Sequence, residues 1–146
     1  MKRMLKLIPA VAVVLMLGAG AAFAATISGT SKGDTLNGSK GPDTMSGRAG
    51  NDTIRGFSGK DTIRGGIGND TIEGGLQQDK IYGGPGVDVI DGDHGADFIN
   101  VAGDGRADSV SCGVGVDTAI VDAADVGSQS QEDFIRLSSC ENVTIR

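Results

Sequence analysis

This chain of 146 residues has few aromatic side chains: no tryptophan, one tyrosine and four phenylalanines. So few large side chains leave no material for a conventional large hydrophobic core. Histidine occurs once, at His94, and cysteine twice, at Cys112 and Cys140. Zinc sites are built from clusters of imidazole and thiolate ligands, so this composition argues against zinc.

Basic residues are outnumbered by acidic ones. The chain has 13 Lys and Arg against 19 Asp and Glu, a net charge of −6. Three of the basic residues lie within residues 1–24, so the remainder has 10 basic and 19 acidic residues, a charge of −9. Such a surface repels nucleic-acid phosphates, and we expect no nucleic-acid partner. The motifs His-Glu-x-x-His and Gly-x-Ser-x-Gly do not occur, so we predict that the chain is not an enzyme.

Glycine is abundant, with 25 residues, and aspartate recurs every nine residues through the middle of the chain. Each of these aspartates has a glycine five residues before it and an apolar residue two residues after it. The aspartates are Asp34, Asp43, Asp52, Asp61, Asp70, Asp79, Asp88 and Asp97, and the apolar residues are Leu36, Met45, Ile54, Ile63, Ile72, Ile81, Ile90 and Ile99. A single turn aspartate usually only caps its turn. Eight in one register, with no Asn or Ser among them, favour a role for the carboxylate itself.

Some units depart from this pattern. Val101 and Ala102 shift the phase by two residues, after which the period resumes with Asp108 and Asp117 in less regular units. The fourth position of the turn, usually glycine, is Lys32 in the first unit and Gln77 in the sixth. We expect those two turns to bind a ligand more weakly or with an altered geometry.

The clearest unit, residues 65–73, reads Gly-Gly-Ile-Gly-Asn-Asp-Thr-Ile-Glu. It resembles the repeat of the RTX (haemolysin-type) calcium-binding nonapeptide family, and the resemblance extends over nearly all of the chain after the first 24 residues. The resemblance implies an all-β fold, a parallel β-roll or β-solenoid. In it each unit forms a six-residue turn and a three-residue strand, and two units make one coil.

Residues 18 apart then stack. One edge of the roll would carry Asp34, Asp52, Asp70 and Asp88, and the other Asp43, Asp61, Asp79 and Asp97. The two inner faces would be Leu36, Ile54, Ile72 and Ile90 on one sheet, and Met45, Ile63, Ile81 and Ile99 on the other. The threonine before each apolar residue would face water, since side chains alternate along a strand.

Stacked carboxylates about 4.8 Å apart repel one another, so the columns need counter-charge. The resemblance implies several calcium ions, which accept six to eight oxygens from carboxylates and carbonyls, whereas magnesium fits such sites poorly. The unbroken array would hold about six ions. The candidate metal ligands are Asp34, Asp43, Asp52, Asp61, Asp70, Asp79, Asp88, Asp97, Asp108 and Asp117.

The two ends are different in character. Residues 1–24 read as a secretory signal peptide, with a basic start, an apolar run over residues 7–17 and an Ala-Phe-Ala cleavage site. An uncleaved membrane anchor is the alternative. We therefore predict a secreted, extracellular protein, with a β-roll over residues 25–120 and a C-terminal cap over residues 121–146.

In an exported chain, Cys112 and Cys140 predict one disulfide, with two free thiols as the alternative. We expect an apolar group to close the end of the core, namely Phe134, Ile135, Leu137, Val143 and Ile145. The acidic residues Asp122, Asp125, Glu132 and Asp133 are interpreted as solvated surface.

The leading functional interpretation is a secreted calcium-binding repeat protein whose folding is driven by calcium. It would be non-catalytic, with a structural or adhesive role at the cell surface. The sequence does not specify which cell-surface or matrix molecule would be its partner. One alternative is the calcium-dependent module of a secreted hydrolase-type enzyme. Another is an ice- or surface-binding solenoid that uses the rows of exposed threonines.

Overall fold

The computed structural model describes residues 23–124 and 137–146. Most of the predicted leader, and the predicted cap residues Phe134 and Ile135, lie outside these ranges, as do Asp125, Glu132 and Asp133. Within the described ranges the regular structure is entirely β, which confirms the all-β prediction. In this part of the chain no helix is long and apolar enough to cross a membrane.

Thirteen short strands form two parallel sheets. They are β1 (Thr26–Ser28), β2 (Thr35–Asn37), β3 (Thr44–Ala49), β4 (Thr53–Arg55), β5 (Thr62–Ile67), β6 (Thr71–Leu76), β7 (Lys80–Tyr82), β8 (Val89–His94), β9 (Phe98–Asn100), β10 (Ser109–Ser111), β11 (Thr118–Val121), β12 (Leu137–Ser138) and β13 (Asn142–Ile145). The seven-stranded sheet has the order β1-β3-β5-β7-β9-β11-β13, and the six-stranded sheet has the order β12-β10-β8-β6-β4-β2. Because successive strands alternate between the sheets, two nonapeptides make one coil, as predicted.

The pairing register confirms that residues 18 apart stack. Ile54 pairs with both Leu36 and Ile72 in the six-stranded sheet, and Ile63 pairs with both Met45 and Ile81 in the seven-stranded sheet. The side chains of these residues are at most 1% exposed. The core is therefore two facing rows of single apolar side chains, one from each nonapeptide.

The outward positions carry the threonine rows that the sequence predicts. Thr35, Thr53 and Thr71 follow one another across the six-stranded sheet until Val89 ends the row. The seven-stranded sheet has a similar row that ends at Lys80. The alternation arises because each three-residue strand points its middle residue inward and its two neighbours outward.

From the third to the eighth turn, the residue at the second position has a left-handed backbone. Gly66 adopts a φ of 119° there, and an added Cβ would collide with the backbone of Arg48 in the preceding coil. Three turns place a residue other than glycine at this position with φ between 64° and 77°, namely Arg48, Phe57 and Asp93. Gln77, which replaces the fourth-position glycine, also has a positive φ of 78°.

The C-terminal residues continue both sheets. Leu137 of β12 pairs with Val110, and Val143 of β13 pairs with Ala119. Val143 and Ile145, expected to close the end of the core, are 43% and 56% exposed. Among the described residues, Cys140 is the partly buried apolar residue at this end that packs against the core. The predicted disulfide joins Cys112 to Cys140, with their Cα atoms 5.1 Å apart.

Candidate metal centres

Hydrogen bonds link the repeat aspartates into two columns along the edges of the solenoid. In each column the Oδ1 atom of one aspartate accepts the backbone N–H of the aspartate one coil earlier, at 2.7 to 2.9 Å. The first column is Asp34, Asp52, Asp70, Asp88 and Asp108, and the second is Asp43, Asp61, Asp79, Asp97 and Asp117. The structure therefore places all ten predicted site residues where the period puts them.

The two-residue insertion does not break either column. Asp88 donates its N–H to Asp108 and Asp97 donates to Asp117, although each pair is 20 residues apart rather than 18. Val101, inside the insertion, is buried and donates its N–H to the carbonyl of Ile120. Residues 101 and 102 follow β9 and lie outside the strands. The aspartates on either side of them therefore keep their alignment.

The second carboxylate oxygen, Oδ2, has a different environment from Oδ1. In the described part of the chain, the Oδ2 atoms of six column aspartates are buried and make no hydrogen bond. They belong to Asp52, Asp61, Asp70, Asp79, Asp97 and Asp117. A buried carboxylate oxygen with no hydrogen-bond donor is costly, so each of these oxygens would gain from a cation.

The regular spacing between glycine and aspartate in the repeats creates the space around this oxygen. A Cβ added to Gly74 would lie 3.0 Å from Oδ2 of Asp79 and 2.8 Å from the carbonyl oxygen of Gly92 in the next coil. At Gly29 the corresponding distances are 2.9 Å to Asp34 and 2.5 Å to the carbonyl of Gly47. Because glycine lacks a Cβ, a carboxylate oxygen and a carbonyl oxygen from neighbouring coils approach the same small space.

The pKa values reflect the same burial. Burial, together with the charge of Asp61, Asp97 and Asp93, raises the pKa of Asp79 to about 7. The same causes, with neighbouring column aspartates as the main charges, raise the pKa values of Asp61, Asp70 and Asp97 to about 6. The backbone N–H that each carboxylate accepts opposes the shift without cancelling it.

These features fit a hard cation with oxygen ligands. No group of three or more His, Cys, Asp or Glu side chains converges within residues 23–124 and 137–146. A metal ion in the columns would therefore take one or two carboxylates and complete its shell with turn carbonyls. Calcium accepts such mixed oxygen shells. The ligand role of each individual aspartate stays a prediction.

The first two turns differ from the later ones in a way that the sequence analysis missed. The hydroxyl and backbone N–H of Thr30 both donate to Oδ2 of Asp34, at 2.8 and 2.6 Å. The N–H of Ser39 donates to Oδ2 of Asp43 at 2.6 Å, and its hydroxyl donates to Oδ1 at 3.2 Å. In these turns hydrogen bonds already satisfy the second oxygen. The signal in the sequence was a hydroxyl residue at the second position of the turn, where the next six units have Arg48, Phe57, Gly66, Gly75, Gly84 and Asp93.

Three acidic residues outside the period accept backbone N–H groups from another coil. Asp104 accepts from Gly86 at 2.7 Å, and Asp122 accepts from Gly105 at 2.7 Å. Asp122 is only 7% exposed, so its interpretation as solvated surface was wrong. The third residue, Glu141, accepts the N–H of Asp117 at 2.9 Å.

The fold and these columns define a class: a parallel β-solenoid of nonapeptides that lines its edges with buried aspartates. A family model, RTX calcium-binding nonapeptide repeat (4 copies), matches residues 28–63, 55–90 and 73–105. The chain belongs to this family and is a calcium-binding repeat protein. No curated protein and no solved structure matches the chain.

The raised pKa values predict an unusual pH dependence without metal. A carboxylate whose pKa is higher in the folded state makes the folded state bind protons more tightly, so stability falls as pH rises from about 4 to about 7. We expect the metal-stripped protein to be more resistant to denaturant at pH 5 than at pH 8, as followed by far-UV circular dichroism. Excess calcium should reverse this trend, because calcium competes with protons for the columns. Stability of the stripped protein that increases from pH 5 to pH 8 would contradict the prediction.

The substitution Asp79→Asn tests whether Asp79 binds a metal ion or only stabilises its turn. The asparagine keeps an oxygen that can accept the N–H of Asp61 but removes the buried charge. We expect the metal-free fold to become more stable, while the calcium concentration at the folding midpoint rises at least about tenfold. Circular dichroism at graded calcium concentrations measures both effects.

Asp91→Asn is the matched control. Asp91 is partly exposed on β8, outside the columns, and its Oδ1 accepts the N–H of Asp93 at 3.1 Å. It should leave the calcium midpoint unchanged. If Asp79→Asn were as silent as the control in both conditions, Asp79 would be only a turn former.

Proposed function

We propose that this protein is secreted and non-catalytic, and that calcium drives the folding of its β-roll, which without the ion is mostly unfolded at neutral pH. In this proposal the folded rod serves as a structural or adhesive element at the cell surface. The observation that carries the proposal is the pair of columns of buried carboxylates with unsatisfied Oδ2 atoms. Arg55 forms an ion pair with Glu73, and Arg106 forms one with Asp104. Both arginines therefore pair with carboxylates that lie outside the columns.

The columns explain why folding and calcium binding would be coupled. The aspartates that share a column are 18 or 20 residues apart, so they converge only after the coils have stacked. A ligand that binds only the folded state stabilises it by about 1.4 kcal/mol per site at a concentration about ten times its Kd. Several such sites would outweigh the repulsion within the columns. Extracellular calcium modules have Kd values of about 10⁻⁴ to 10⁻³ M, which supports folding after export.

Far-UV circular dichroism of residues 25–146, titrated with calcium from a metal-stripped start, tests the proposal. We expect a cooperative transition from coil to β-sheet near millimolar calcium, and no transition with magnesium, which keeps its waters and requires a tight octahedron. If the stripped protein is already folded and calcium changes nothing, calcium-driven folding is wrong.

A groove on the six-stranded sheet favours a second candidate, the hydrolase-type enzyme. The groove has a volume of about 270 Å³ and contains two carboxylates outside the columns, those of Glu73 and Asp93. Burial, with the charges of Asp91 and Glu73, raises the pKa of Asp93. The lining residues are Arg55, Phe57, Glu73, Gly75, Leu76, Asp93 and His94. A concave carboxylate pair is the arrangement that acid–base hydrolysis uses.

The geometry of the groove nevertheless fits a surface ion pair better. Nε of Arg55 lies 2.8 Å from Oε2 of Glu73, which neutralises one of the two carboxylates. We therefore expect no hydrolysis of ester, peptide or glycoside substrates by the calcium-loaded protein. Turnover that is present in the wild type and lost in Asp93→Asn, with the calcium midpoint unchanged, would replace the non-catalytic proposal with the enzyme.

A further inference from the structure

The C-terminal strands repeat the geometry of the regular units. The N–H of Asn142 donates to the carbonyl of Asp117 at 3.0 Å, just as the N–H of Thr118 donates to the carbonyl of Asp97 at 2.9 Å. Val143 pairs with Ala119, which occupies the apolar position of the preceding unit. Residues 141, 142 and 143 therefore occupy three positions of an additional repeat. These are the positions of the aspartate, of the residue after it and of the inward apolar residue.

Glu141 occupies the aspartate position of this extra unit. Its Oε2 atom accepts the N–H of Asp117 at 2.9 Å, and Oδ1 of Asp117 accepts the N–H of Asp97 at 2.7 Å. The second column thus continues from Asp117 to Glu141 through the same type of hydrogen bond. The separation is 24 residues, which places Glu141 outside any regular repeat period.

The carboxylate that faces Glu141 along the column has an unsatisfied oxygen. Asp117 is completely buried, and its Oδ2 atom makes no hydrogen bond within the described residues. In burial and in its unsatisfied second oxygen, Asp117 resembles Asp79. The gap between Asp117 and Glu141 therefore contains one buried, unsatisfied carboxylate oxygen and the exposed carboxylate of Glu141. Cys112 takes the place of the glycine that precedes the interior aspartates by five residues.

The disulfide fixes the backbone beside Glu141. Cys140 is bonded to Cys112, which is fully buried at the first position of the last regular turn. The N–H of Cys112 also donates to the carbonyl of Ser138 at 2.9 Å. Without the covalent bond, Glu141 would depend on the backbone hydrogen bonds of a terminal strand, and chain termini fray readily.

We propose that Glu141 is the last carboxylate of the second column, that it supplies a side-chain ligand to a terminal calcium site facing Asp117, and that the Cys112–Cys140 disulfide holds it in place. The inference rests on the proposed calcium-binding function and extends it to a residue outside the nonapeptide period. Occupancy of this terminal site then depends on the redox state of the two cysteines.

Glu141→Gln in the full chain tests the ligand role. The glutamine retains an oxygen that can accept the N–H of Asp117, so the variant changes charge with little change in shape. Native mass spectrometry at graded calcium concentrations counts the ions bound, and far-UV circular dichroism checks the β-sheet content. We expect one ion to be lost or to bind at least about tenfold more weakly, since even losing a group that only orients a ligand costs that much.

Glu73→Gln is the matched control, because it makes the same chemical change on an outward position of β6, outside both columns. It should bind as many ions as the wild type. Reduction of the wild type should reproduce the loss seen in Glu141→Gln, and reduction of Glu141→Gln should remove no further ion.

The outcomes separate the two proposals. A Glu141→Gln variant that binds as many ions as a calcium-binding wild type, with equal affinity, would overturn the terminal site alone. A reduced wild type that keeps every ion, while Glu141→Gln loses one, would overturn the role of the disulfide. A wild type that binds no calcium would overturn the proposed function from which the inference starts.

Discussion

The hydrogen bond between the Oδ1 atom of one repeat aspartate and the N–H of the aspartate one coil earlier is the interaction on which this structure depends. It fixes the stacking of the coils at both edges of the solenoid. It also brings like charges into a buried column, because each carboxylate must sit directly beside the next turn. The same contact therefore both orders the coils and creates the need for a cation.

The ends of the columns differ from their interior in the groups that contact the carboxylates. At the N-terminal end, Thr30 and Ser39 donate to the second oxygen of the local aspartate, so the protein itself satisfies that charge. At the C-terminal end, Glu141 continues the second column and the disulfide ties it to the last regular turn. In the middle of the array the second oxygens of Asp61 and Asp79 have no such donor within the described residues, and burial with neighbouring charge raises the pKa of Asp79 to about 7.

The small core makes this arrangement necessary. Each nonapeptide contributes one inward apolar side chain, and the rows built on Ile54 and Ile63 are nearly the whole hydrophobic interior. A solenoid of this kind is stabilised by contacts between neighbouring units rather than by a central core. Binding free energy taken up between the coils can therefore decide whether the chain folds.

The sequence by itself determined the fold class, the two apolar rows and the ten aspartate positions, because a nine-residue period and the alternation of side chains along a strand are local properties. It also indicated the pairing of Cys112 with Cys140, since no other cysteine exists. Only the tertiary structure decided that Glu141 joins a column and that Asp122 is buried, because both depend on how irregular segments return to the stack. The groove that joins Glu73 to Asp93 likewise arises from strand pairing between coils, which the spacing of those residues along the chain does not reveal.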